Sequence, residues 1–101
     1  MIVAFSVSPV GSASADGSVH TAVAAAVKVV RDSGLPNRTS SMFTEIEGEW
    51  EEVFAVVKAA TEAVGAYGSR VSLVLKADIR PGYTGELDGK VERVEKALSE
   101  L

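Results

Sequence analysis

Met42-Phe43-Thr44-Glu45-Ile46-Glu47-Gly48-Glu49-Trp50 is the stretch on which the fold turns. It reads as the end of a β-hairpin, a glycine break, and a helix that opens on an aromatic anchor. Glu51 and Glu52 follow in the first helical turn, where carboxylates meet the positive end of the helix dipole. A hairpin lying between two long helical patterns gives the order β-α-β-β-α-β, the split-βαβ arrangement. The expected class is therefore α+β: a ferredoxin-like βαββαβ sandwich with a four-stranded antiparallel sheet and an extra C-terminal helix.

The flanking segments supply the other elements. Ile2 to Pro9 reads as the first strand, with Val3, Phe5 and Val7 alternating against Ala4, Ser6 and Ser8. A Gly/Ser/Ala loop over Gly11 to Ser18 follows, in which Asp16 or Ser18 is placed to cap the next helix. That helix is expected over Val19–Asp32, with Val19, Val23, Ala26, Val27 and Val30 as its core stripe and Gly34 as a left-handed cap. The hairpin is read as Arg38–Met42 paired with a strand starting at Phe43 or Thr44 and ending at Glu47, joined by a turn without Gly or Asn. Helix two is expected over Glu49–Tyr67, burying Trp50, Val53, Phe54, Val57, Ala60, Val64 and Tyr67, and stopping at Gly68. Strand four, Arg70 to Arg80, sends Val71, Leu73, Leu75 and Ala77 one way and Ser72, Val74, Lys76 and Asp78 the other. A last helix over Leu87–Leu101 carries Val91, Val94, Leu98 and Leu101 on one side.

Composition limits what such a protein can do. A chain of 101 residues without a linker or internal repeat is read as one domain, residues 1–101. It has no cysteine, so a disulfide framework and thiolate metal sites are excluded. A net charge of -4 argues against nucleic acid, because phosphate binding needs a basic face. Met1-Ile2-Val3-Ala4-Phe5 is too short for a secretory signal, and no apolar run is long enough for a membrane span, so a cytoplasmic protein is expected. Enzymatic readings fare poorly. The loop from Gly11 to Ser18 holds no basic residue, against both an acylphosphatase-like activity and a P-loop, and one histidine with scattered carboxylates makes no metal site.

In a split-βαβ sandwich both main helices cover one sheet face. The other face would carry Ser6, Ser8, Ser72, Val74, Lys76 and Asp78, and small hydroxyls and valine are unusual on a solvated sheet. Such a surface suits close packing against another layer, or a pocket with a few convergent polar groups.

Three blocks carry a family resemblance: Ser6-Val7-Ser8-Pro9-Val10-Gly11, Thr44-Glu45-Ile46-Glu47-Gly48-Glu49-Trp50-Glu51-Glu52-Val53, and Leu75-Lys76-Ala77-Asp78-Ile79-Arg80. Their order and spacing resemble the thiamine-binding protein family, small ferredoxin-like proteins related to the YkoF-like proteins that bind thiamine or hydroxymethylpyrimidine. The resemblance covers nearly the whole chain. It implies a vitamin-binding protein rather than an enzyme, thiamine as ligand rather than cofactor, and homo-oligomers (dimers or tetramers) assembled through the sheets with a pocket near the subunit interface. Two positions depart from the family pattern: Phe43 stands where many members have glycine, and Thr61-Glu62 where many have His-Glu.

Seven residues form the candidate ligand set, each with a plainer role beside it. Asp78 can accept hydrogen bonds from an aminopyrimidine, or pair with Lys76 or Arg80. Glu47 is a ligand carboxylate or a helix-start carboxylate. Ser6, Ser8 and Thr44 offer hydroxyls to ring nitrogens, or are ordinary strand residues. Met42, with its neighbour Phe43, can stack on a flat heterocycle or fill core and interface. His20 sits in the first helical turn with no nucleophile near it in sequence. The competing reading is an oligomeric structural or regulatory module whose open sheet face serves assembly alone.

Overall fold

Alternation along the first strand is where the sequence most directly becomes structure. The computed structural model describes residues 1–11 and 19–101. In it β1 (Ile2–Val10) buries Val3, Phe5, Val7 and Pro9 and leaves the intervening side chains on the other face. The chain continues through α1 (His20–Asp32), β2 (Asn37–Thr39), β3 (Thr44–Glu47), α2 (Trp50–Val64), β4 (Arg70–Asp78) and α3 (Glu86–Ser99). The four strands form one antiparallel sheet in the order β2-β3-β1-β4. This is the ferredoxin-like sandwich, with α3 as the additional helix.

The core lies between the sheet and the α1–α2 layer. Val3, Phe5, Val7 and Ile46 from the strands meet Ala22, Ala26 and Val30 of α1 and Val53, Val57, Ala60 and Val64 of α2. The small residues of α1 let its backbone approach the sheet closely. Each buried valine or isoleucine contributes about 1.5–3 kcal/mol of hydrophobic free energy.

Several boundaries differ from the sequence reading for identifiable reasons. β2 stops at Thr39 rather than Met42, because Ser40 donates its N–H to the Phe43 carbonyl at 3.0 Å and its hydroxyl to the same oxygen at 2.7 Å. Ser40 thus closes a turn instead of extending the strand. Asp16 and Ser18, read as possible caps for α1, lie outside the described residues; α1 starts at His20 after Val19, which makes no side-chain cap. Gly34 does take the left-handed conformation, with φ +77°. α2 ends at Val64, and a single 3₁₀ turn, Gly65–Tyr67, carries the chain to Gly68. Gly68 is extended there, and a Cβ on it would sit 2.9 Å from the Pro9 Cβ, so it permits close passage of the strands rather than capping a helix. Trp50, expected as an anchor on the buried face of α2, is exposed and packs instead on the Phe54 ring at 4.8 Å. The acidic helix start is as read: the Glu52 carboxylate accepts the Glu49 N–H at 3.0 Å.

Register places the candidate residues. β1 pairs with β4 along its full length, from Ile2↔Asp78 to Val10↔Arg70, but with β3 only from Ile2↔Glu47 to Phe5↔Thr44. Among the described residues, residues 6–10 of β1 thus have a strand on one side alone, and Pro9 stands in that half. A proline fits there because its missing N–H costs nothing on a side with no neighbouring strand.

Candidate functional site

At the end where β1 outruns β3, the sheet opens into a cleft of about 190 Å³. One wall is Ser6 and Ser8 of β1; the second is Thr44 with Met42 and Phe43 from the serine-closed turn; the third is α1, through Val23 and Val27. Among the described residues, the hydroxyls of Ser6, Ser8 and Thr44 make no side-chain hydrogen bond; Thr44, paired with Phe5, stands on the helix-facing side of the sheet, and Ser6 and Ser8 alternate onto the other face. Phe43 is half-buried and Met42 exposed, giving the cleft an apolar edge that can adapt to a flat ring. Val23 and Val27, expected in the core stripe of α1, are instead half-buried and line this cleft.

Four of the seven candidates, Ser6, Ser8, Met42 and Thr44, therefore meet in one cleft. His20 is the first residue of α1 and is exposed. Glu47 and Asp78 lie at the opposite end of the sheet. Ser8 pairs with Ser72 and Ile2 with Asp78, so six residues of strand, roughly 20 Å, separate Ser8 from Asp78 within one chain.

That opposite end is occupied by α3. The buried Glu47 carboxylate accepts the backbone N–H of Glu86 at 2.9 Å and of Leu87 at 3.2 Å, satisfying two donors that a helix start leaves without partners. Arg38 of β2 bridges Asp88 at 2.5 Å, and Lys90 donates to Asp78. The lysine hydrogen bond, then its charge, hold the Asp78 carboxyl below its ordinary value. Glu86 is likewise lowered, chiefly by the hydrogen bond from Arg93. Sequence spacing pointed Asp78 towards Lys76 and Arg80; its partner comes from the last helix, and Arg80 stacks on the Tyr83 ring at 3.5 Å. Neither contact has a local sequence signal.

A larger cavity of about 490 Å³ lies beside this α3 anchor, between Leu35, Pro36 and Tyr83. Its charged groups are largely committed to one another, Arg38 to Asp88, Glu52 to the Glu49 N–H and Glu47 to α3. Size favours this cavity; uncommitted hydrogen-bonding groups favour the smaller cleft, and for recognition of a polar heterocycle we give the second more weight. Among the described residues no cluster of His, Asp or Glu could hold a metal ion, and no helix is long and apolar enough to cross a membrane.

The fold and cleft define a class: a small α+β sandwich whose sheet opens at one end onto a recess bordered by Ser6, Ser8 and Thr44. Comparison with known proteins is specific within that class. The chain belongs to the thiamine-binding protein family, whose profile matches residues 3–95. A UPF0045 protein of Mycobacterium bovis is 52% identical over 99 residues, covering 97% of this chain and 94% of its own. A UPF0045 protein of Synechocystis is 42% identical over 82 residues, covering 80% and 68%. Among solved structures, a hypothetical protein of Methanocaldococcus jannascii superposes with a TM-score of 0.80 at 29% identity, over 99% of this chain and 96% of that one. A Thermotoga maritima protein assigned by its description to thiamine biosynthesis or salvage matches with a TM-score of 0.69 at 26% identity, over 91% and 99%.

Proposed function

We propose that the protein binds thiamine or its hydroxymethylpyrimidine moiety, as a homo-oligomer, with the pyrimidine ring in the cleft lined by Ser6, Ser8, Met42 and Thr44. The observation that carries this reading is the recess between the free half of β1 and the turn before β3, where the uncommitted Thr44 hydroxyl stands beside Phe43 and Met42 on the helix-facing side and Ser6 and Ser8 border it from the strand whose hydroxyls lie on the other face. An aminopyrimidine presents ring nitrogens that accept hydrogen bonds and an amino group that donates them, and hydroxyls can answer both. A space of about 190 Å³ is below the roughly 300 Å³ at which pockets enclose drug-sized ligands, so the ring is enclosed and the remainder of thiamine extends out of the cleft. Membership of the thiamine-binding family supports the same ligand class. The reading is of a binding protein, with no catalytic residue assigned.

Calorimetric titration with thiamine and with hydroxymethylpyrimidine tests it. Both should bind, and Thr44→Val should weaken both by about tenfold, the loss of one hydrogen bond worth about 1.4 kcal/mol. Absence of heat for either compound with folded wild-type protein would leave the assembly module, which the exposed apolar stripe of α3 favours.

A further inference from the structure

The two glutamates that open α2 carry charge that nothing nearby neutralises. Glu52 spends one oxygen, Oε1, on the Glu49 N–H at 3.0 Å, and both carboxylates are exposed. Among the described residues neither has an ion-pair partner. The carboxylates at the start of α3 are engaged by contrast, Asp88 by Arg38 and Glu86 by Arg93.

Glu49 and Glu52 line the cavity of about 490 Å³ beside the α3 anchor, and the rest of its lining is of a different kind. Leu35, Pro36 and Leu87 give it aliphatic walls, and Tyr83 borders it as well. That ring already receives one cation. The Arg80 guanidinium lies 3.5 Å from its centroid, and Arg80 lines a neighbouring recess of about 180 Å³ rather than the cavity itself. Tyr83 thus stands between two spaces, with a cation supplied by the chain in only one of them. The cationic groups that do line the cavity are spent, Arg38 on Asp88 and the Met1 ammonium on the Gly48 carbonyl at 2.9 Å.

We infer that this cavity is a second ligand site, and that it takes an organic cation: a primary ammonium group at Glu49 and Glu52, with an aliphatic body against Leu35, Pro36, Leu87 and the Tyr83 ring. Other classes of occupant fit less well. Glu47, Glu49, Glu52 and Asp88 outweigh Arg38 and the Met1 ammonium, which disfavours an anion. A bare metal ion would leave the aliphatic walls unused, and among the described residues no cluster of His, Asp or Glu could hold one. A neutral apolar molecule would take water from the two carboxylates and offer them nothing in return. The volume lies within the roughly 300–1,000 Å³ range of small-molecule pockets.

The site is separate from the cleft at Thr44, since the two share no lining residue. It joins β2 through Arg38, the start of α2 through Glu52 and the start of α3 through Leu87. An occupant would therefore tie together three elements that meet outside the main core.

The test is an NMR titration of the whole protein with n-hexylammonium chloride, matched by 1-hexanol and sodium hexanoate. The ammonium should give saturable shifts at the Gly48, Tyr83 and Leu87 amides in the millimolar range. Hexanol should bind about tenfold more weakly, and hexanoate should give no saturable shift. Glu52→Gln keeps the acceptor for the Glu49 N–H and removes the charge, so it should weaken the ammonium by about fivefold. Glu62→Gln, on the same helix but outside the cavity, should change nothing. Equal binding of hexanol and hexylammonium, shifts that never saturate, or a Glu52→Gln protein that binds as wild type would each overturn the inference. Displacement of hexylammonium by thiamine would overturn it too, by making this cavity the thiamine site. Hexylammonium binding by a protein that gives no heat with thiamine would remove the earlier reading and keep this one.

Discussion

One sheet shows two unlike faces. On the helix side, Val3, Phe5, Val7 and Ile46 are buried in one apolar cluster with residues of α1 and α2. On the other side, alternate residues of the same strands are serines, Val74, Lys76 and Asp78, left largely open except where α3 crosses one end. The contrast teaches that along β1 and β4 core packing and open surface are assigned to alternate residues, whereas on β3 Thr44 shares the face of Ile46 and reaches the cleft at the edge of the core. A substitution at residue n and one at n+1 should therefore report on different properties.

The largest expected effect is on the helix side. Ile46→Ala empties a fully buried site and should cost about 2–5 kcal/mol, a substantial part of the 5–15 kcal/mol typical of a domain this size. Thermal unfolding should show a midpoint lowered by about 10 °C or more. Ligand affinity of the remaining folded protein should be unchanged; a matching loss of affinity would merge the two faces into one functional unit.

Intermediate in size is Glu47→Ala, at the seam between the faces. It strips the acceptor from two helix-start donors, and we expect a loss of about 1–3 kcal/mol. Glu47→Gln, keeping one acceptor oxygen, should recover part of that loss. Amide exchange should accelerate in α3 before it does in β1. Uniform acceleration across both would show that α3 is integral to the core rather than fastened onto it.

The smallest effect belongs to the open face and depends on pH. Asp78 and Glu86 sit below their ordinary values of 3.8 and 4.5, through hydrogen bonds from Lys90 and Arg93 respectively. A lowered folded-state pKa stabilises fully above the unfolded value and ceases to do so as pH falls through the folded one. The Lys90–Asp78 link between α3 and β4 is therefore complete above about pH 3.8 and loosens on further acidification, while the Glu86–Arg93 pair supports α3 internally. These pairs are too exposed to move global unfolding much. NMR shifts of α3 amides should change in acid while those of Val3 and Ile46 hold, and simultaneous movement would argue against a separately anchored helix.

What was legible in the sequence follows the same division. Alternation in Ile2 to Pro9 and in Arg70 to Arg80, and the Gly48-Glu49-Trp50 helix start, are local signals, and they carry element order, facing and sheet class, with strand ends one or two residues from the observed Val10 and Asp78. Glu47 as an α3 anchor was not legible, because the donors it serves are 39 and 40 residues away. Lys90 as the partner of Asp78 was hidden in the same way by a 12-residue separation across a turn. Among the cleft residues, the hydroxyls and Met42 were visible as residue types out of place on a strand or turn, whereas Val23 and Val27 looked like core because periodicity cannot tell a core from a cleft wall.

Pro9 has a bearing on solubility. A half-paired strand such as residues 6–10 of β1 is a place where a stray segment from a partly unfolded neighbour can dock, the first step of strand exchange or fibrillar stacking. A proline in that half cannot supply a full ladder of donors, so the gap is protected against the wrong occupant while staying wide enough for a small one. Restoring the donor, as in Pro9→Val, would make the same opening an adhesive edge.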